Sequence, residues 1–138
     1  MIRDTEFTFT TDEKPQDEVA ALIAARSAAF WVAEADTLAG FATYGPFRAG
    51  PGYAQTVEHT VIVAKGFEGQ GIGSRLMEVA EKSAQDQGVH VMVAGISGTN
   101  QAAVAFHRKQ GFAQTGRLPE VGRKHGKWLD LILMQKNL

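Results

Sequence analysis

The 138-residue chain contains no cysteine. Disulfides, thiolate metal sites and cysteine nucleophiles are excluded together. An excess of one charge is also missing. The 14 Lys and Arg against 15 Asp and Glu leave a formal charge of −1. That balance offers no general attraction to nucleic acid or to an anionic membrane. No apolar run suggests a membrane span, and the start "MIRDTEFTFTTDEKP" has no signal-peptide core. The expected location is therefore the cytoplasm. The chain shows no internal repeat, low-complexity tract or linker, and no clustered His or Asp spacing that suggests a metal site. What remains is one domain, residues 1–138, large enough to bury a core.

What is present alternates between helical and strand patterns. Pro15 suits the first turn of a helix, and Val19, Ala20, Leu22 and Ile23 give residues 16–26 one apolar side. Two strands, Phe30–Glu34 and Leu38–Tyr44, are predicted to form a hairpin through residues 34–37. A Gly- and Pro-rich loop follows, and then a third strand in "AQTVEHTVIVA". Leu76, Val79, Ala80 and Ser83 trace a helix that Gly88 can stop. "VHVMVAGI" is apolar on both faces and reads as a central strand. Asn100 can cap a helix over residues 101–110, ended by Gly111, and one long strand is expected from about Lys127 to Gln135. This order implies a layered α/β or α+β domain.

Chemistry concentrates in "VIVAKGFEGQGIGSRLMEVA", where Gly66, Gly69, Gly71 and Gly73 fall between a strand and a helix. Such glycines either permit a tight turn or let backbone N–H groups approach an anion at the helix N-terminus. A P-loop is ruled out, because no Lys-Ser or Lys-Thr directly follows any of these glycines. A dinucleotide fingerprint fits poorly. Gly69 and Gly71 match it, but the third position is Ser74 and the following strand offers no acidic residue.

The pattern Arg/Gln-x-x-Gly-x-Gly/Ala of acetyl-CoA-dependent transferases fits better. Here it reads Glu68-Gly69-Gln70-Gly71-Ile72-Gly73, with Glu at the first position. With its flanks "TVEHTVIV", "HVMVAGI", "NQAAVAFHRKQGF" and "VGRKHGKWLDLILMQ", the chain resembles the GNAT superfamily of N-acetyltransferases over about residues 5–136. Within that superfamily it is similar to the phosphinothricin and methionine sulfoximine acetyltransferase group. The resemblance implies the GNAT acyl-CoA N-acyltransferase fold, with a mixed, mostly antiparallel central sheet flanked by helices. The family's first strand and helix have no counterpart here, so the chain reads as N-terminally shortened. The strand around Phe30–Glu34 is then expected to expose an edge.

The resemblance also implies an enzyme that moves an acetyl group from acetyl-CoA to the α-amino group of a small amino-acid analogue, by direct attack in a ternary complex. Backbone N–H groups from Gly69, Gln70, Gly71, Ile72, Gly73 and Ser74 would meet the pyrophosphate, with the Glu68 carboxylate turned to water. Pantetheine would lie along Val61, Ile62 and Val63 like an added strand, and a backbone N–H there would polarise the thioester carbonyl. Glu58 is the candidate general base, because an α-amino group of reference pKa about 7.7–8 needs only a modest one. His59 has the more suitable reference pKa but points to the opposite strand face, and reads either as a hydrogen-bonded histidine against the core or as a second catalytic candidate.

His107 stands where many superfamily members carry a tyrosine that protonates the departing thiolate. It is expected to donate that proton or to bond the pantetheine arm or sulfur. Asn100 is a helix cap that, by resemblance, also bonds the cofactor. Lys109, with Arg108 second, could meet an adenosine phosphate. For the acceptor, Pro51, Gly52 and Tyr53 occupy the family's substrate loop. Arg123, Lys124, His125 and Lys127 could receive a carboxylate or phosphinate, or form a basic surface turn. Trp128 and Leu129 are expected to pack the last strand against the core or a second subunit of a homodimer. No metal, nucleic acid or membrane is implied. Two alternatives stay open: a protein or peptide N-acetyltransferase, and a shortened domain that binds acetyl-CoA without efficient turnover.

Overall fold

A computed structural model of the protein describes residues 29–138. The helix predicted over residues 16–26 lies outside them. Six strands form one sheet: β1 (Phe30–Glu34), β2 (Leu38–Pro46), β3 (Thr56–Val63), β4 (Val91–Ser97), β5 (Ala113–Lys124) and β6 (Lys127–Asn137), in the order β1-β2-β3-β4-β6-β5. Neighbours are antiparallel except β3 and β4, which run parallel. The expected mixed, mostly antiparallel sheet is observed. Among the described residues β1 is a terminal strand of it.

Side chains alternate along β3, so Val57 and His59 are buried while Glu58 and Thr60 are exposed. The buried face carries Ala42, Tyr44, Met92, Ala94, Ile132 and Met134, which share one core with the helices. Helix α1 (Ile72–Asp86) supplies Leu76, Met77, Ala80 and Ala84 at helical spacing. Helix α2 (Gln101–Lys109) supplies Val104, and its first turn is capped by Asn100 Oδ1, which accepts from the Ala103 N–H at 3.0 Å.

Strand β5 is a correction to the sequence reading, which had a single strand after α2. Nine of its twelve residues are exposed, and Gly116, Pro119 and Gly122 interrupt it. Two register irregularities break its ladder with β6. Being an edge strand, it tolerates a proline and needs no apolar alternation. Its pairing with β6 defines it, and local sequence pattern does not.

One topological feature positions the site. The β3–β4 ladder runs from Thr56↔Val91 to His59↔Ala94 and stops there. Strand β3 stays paired with β2 as far as Gly40↔Val63, and β4 with β6 as far as Ser97↔Leu131. The sheet therefore forks at His59, leaving Val61, Ile62 and Val63 along one prong with no β4 partner.

Candidate active site

Beyond the end of β3 the glycine loop turns into α1. Gly69 and Gly71 have φ of 77° and 78°, a region that penalises any Cβ. Nothing lies within 4 Å of a Cβ built on either. Gly71 is the N-cap of α1 and no side chain caps it, so the first N–H groups of the helix lack intrahelical partners. A cleft of about 500 Å³ opens here. Of the residues predicted for the cofactor it is lined by Val63, Gly69, Gly71, Ile72, Gly73, Ser74 and Lys109. Gln70 is exposed and does not line it.

Gly73 has a second reason to be glycine, since a Cβ there would sit 3.1 Å from Phe106 Cε1. That contact seats α2 against the start of α1. Phe106, Ala102 and Gln110 line the cleft and were missed in the sequence, where they read as ordinary α2 positions. Gln110 Nε2 donates to Ser74 Oγ at 2.8 Å and ties the two helices together.

Glu68 is exposed as expected, but it also lines the cleft and folds back on the loop. Its Oε1 accepts from the Gly66 N–H at 2.7 Å. Backbone N–H groups, its own first and then that of Gly66, hold its carboxyl below the usual range.

Glu58 and His59 bracket the fork from opposite faces. Glu58 lies on the solvent side, opposite Val93, and a Cβ added at Gly95 would be 3.1 Å from its Oε2. A smaller cleft of about 250 Å³ opens on this sheet face, lined by Tyr53, Thr56 and Val93 among others. Residues Pro51–Tyr53 form a short 3₁₀ turn. Only Tyr53 of that turn reaches the cleft, beneath Arg48, whose guanidinium carbon is 4.9 Å from the ring centre. Phe47, Thr115 and Gln135 also line it and were not anticipated. Thr115 belongs to the strand the sequence did not show.

On the helical side His59 meets His107. Their Nε2 atoms are 2.9 Å apart, and His107 Nδ1 donates to the Ala103 carbonyl at 2.8 Å. Both rings are buried. Burial, and then the neighbouring His107, pushes the His59 pKa down to about 3 against the opposing pull of the Val93 carbonyl. Burial also lowers that of His107, outweighing the Ala103 carbonyl and Glu81. Both nitrogens of His107 are thus engaged inside the protein, and a direct bond from it to pantetheine requires one of these contacts to break.

The remaining predicted residues are dispersed. Arg108 is exposed on α2 and lines neither cleft, and the Asn100 side chain is engaged as the helix cap. Arg123, Lys124, His125 and Lys127 sit at the tip of the β5–β6 hairpin and line neither cleft. Arg123 stacks on Trp128 at 4.3 Å, and Lys124 is 1% exposed. Leu129 is buried as expected, whereas Trp128 is 59% exposed. Among the described residues no group of three or more His, Asp or Glu could hold a metal ion.

A strand–glycine-loop–helix unit beside a forked mixed sheet defines an acyl-CoA-type transferase architecture. The sequence comparison specifies it further: residues 1–112 match the Acetyltransferase (GNAT) family, and the chain belongs to that family. It is 46% identical over 99 residues to an L-methionine sulfoximine/L-methionine sulfone acetyltransferase of Pseudomonas aeruginosa, covering 72% of this chain and 58% of the relative. The chain covers less than two thirds of the length of such curated relatives. Among solved structures it is similar to a GNAT superfamily phosphinothricin acetyltransferase from Sinorhizobium meliloti in complex with acetyl-CoA. That match has a TM-score of 0.89 at 27% identity, covering 98% of this chain and 76% of the other. A ribosomal-protein-alanine N-acetyltransferase from Brucella melitensis is also similar, with a TM-score of 0.82 at 38% identity over 96% of this chain and 83% of that one.

Proposed function

We propose that the protein is an acetyl-CoA-dependent N-acetyltransferase acting on the α-amino group of a small amino-acid analogue of the methionine sulfoximine or phosphinothricin type. One observation carries this reading: the fork beside Val61–Val63 runs into the glycine-loop cleft at the end of β3. An extended arm with a diphosphate at one end fits that continuity. The arm would pair with the open β3 edge, while the diphosphate would meet the uncapped N-terminus of α1. Lys109, on the cleft wall, adds a cation for a further phosphate.

On the other face, the cleft at Tyr53 is sized for a small acceptor. Glu58 takes a proton from the ammonium, directly or through water. The freed amine attacks the thioester carbonyl carbon in a ternary complex, forming the C–N bond as the C–S bond breaks. The excess proton on nitrogen leaves and the CoA thiolate gains one, so the proton count is unchanged. A homodimer is part of this reading, and the exposed Val121 and Trp128 on the β5–β6 hairpin are candidates for its contact.

A second reading, acetylation of a protein N-terminus, draws on the likeness to the Brucella structure. The small volume of the cleft, about 250 Å³, favours the free amino acid. Calorimetric titration with acetyl-CoA is the first test, and binding should weaken strongly for an analogue without the phosphates. Acetylation of methionine sulfoximine but no alanine-terminated peptide is then expected. A folded sample that binds no acetyl-CoA would sink the proposal.

A further inference from the structure

In β4, Gly95 is the one exposed residue, and it stands inside a strand that a glycine weakens. Glycine in such a place marks a bulge, a corner, a close backbone or a close ligand. The ladder with β6 runs without a break from Val91↔Asn137 to Ser97↔Leu131, which excludes the first two. Nor does the local conformation require glycine, since Gly95 is not among the residues of positive φ. A crowding backbone is excluded by the neighbours. A Cβ built on Gly40 would strike the Ile62 carbonyl oxygen at 2.6 Å, so the adjoining strand explains that glycine. At Gly95 the Cβ would meet only side chains, Glu58 Oε2 at 3.1 Å and Leu131 Cδ1 at 3.4 Å. A ligand is what remains.

Its position suggests which ligand. The last β3–β4 pair is His59↔Ala94, so Gly95 is the first β4 residue beyond it, at the mouth of the fork. It lies directly across from Leu133 on β6 and two residues after Val93, on the same sheet face. Leu133 and Val93 both line the cleft at Tyr53, and Gly95 is the next step past the end of that lining. The exposed floor therefore continues over Gly95 toward the fork, between the Glu58 carboxylate and Leu131. One methyl group would fill the gap between those two walls.

We propose that Gly95 is a specificity-determining residue of the acceptor site, its missing side chain leaving a notch for the carbon that carries the acceptor's amine. From there the amine lies beside Glu58 and faces the fork, where the thioester would be. An α-amino acid is branched at that carbon and needs the room, which any side chain at this position would take. The inference rests on the transferase reading above and adds to it the residue that admits the acceptor.

Gly95→Ala in the full chain tests it, because the backbone there accepts alanine and the methyl takes the place assigned to the acceptor carbon. The Tm and the Kd for acetyl-CoA should hold. The KM for methionine sulfoximine should rise about tenfold, the low end for one carbon too many in a pocket. At saturating acceptor, kcat should change little. Leu131→Ala draws back the opposite wall, so the penalty of Gly95→Ala should shrink in that background. An unchanged KM overturns the proposal, as does a penalty undiminished by Leu131→Ala. A loss confined to kcat assigns the effect to Glu58 and overturns it too. So does a joint loss of acetyl-CoA binding, the mark of a structural glycine. Wild-type protein that acetylates methionine sulfoximine no better than Gly95→Ala sinks this inference alone. Wild-type protein that binds no acetyl-CoA, or transfers no acetyl group, overturns the transferase reading with it.

Discussion

Glu58 and Glu68 are both exposed carboxylates, yet their surroundings give them opposite consequences. Glu58 stands beside the fork on the exposed sheet face, where the proposed acceptor amine would have to shed a proton. Glu58→Gln keeps the size and removes the base, so kcat should drop by roughly 10²–10⁴. The Kd for acetyl-CoA should hardly change. Unaltered turnover removes Glu58 from the mechanism. Glu68 instead lines the cleft assigned to a diphosphate, its carboxylate folded onto the Gly66 N–H. Glu68→Gln keeps that hydrogen bond and deletes a like charge. Acetyl-CoA should bind about two- to fivefold tighter at low salt, with the gain fading as ionic strength rises. Weaker binding in this variant would place the diphosphate elsewhere.

At the scale of elements, the glycine loop works through backbone shape. The left-handed φ of Gly71 sets the start of α1, and the space above it is open. A valine there is strained by about 1–2 kcal/mol and projects into the cleft. Gly71→Val should remain folded with a lowered Tm and lose measurable acetyl-CoA binding; retained affinity counts against the cradle. The loop, both described helices and the β1–β2 hairpin were legible because their signals are local: period 3.6, an Asn cap, period 2, glycine punctuation. Strand β5 was not, because an exposed edge strand carries no apolar alternation and exists through its partner. Part of the lining of the cleft at Tyr53 was lost with it, since Thr115 comes from β5.

For the whole molecule, the buried imidazole pair ties stability to pH. Folded His59 is held to a pKa of about 3 against 6.5 for the ordinary group, and His107 shifts the same way. The unfolded chain therefore binds more protons throughout the interval between the two values. Stability is full above about pH 6.5 and falls as acidity rises, with a slope approaching 1.4 kcal/mol per pH unit from His59 alone. Carboxylates held below their usual range, such as Asp130, add to the loss only at lower pH. Melting temperatures between pH 7 and 5 should show the decline, and His59→Gln should flatten it. An unchanged slope would assign the acid sensitivity to other groups. By itself the sequence determined the family, the glycine loop with its helix, and the facing of Glu58 away from the core, because each is written in neighbouring residues. The fork at His59, the pairing of His59 with His107 across 48 positions and the second cleft were decided by the tertiary structure. They depend on which strands part company and which faces meet, and no local pattern records that.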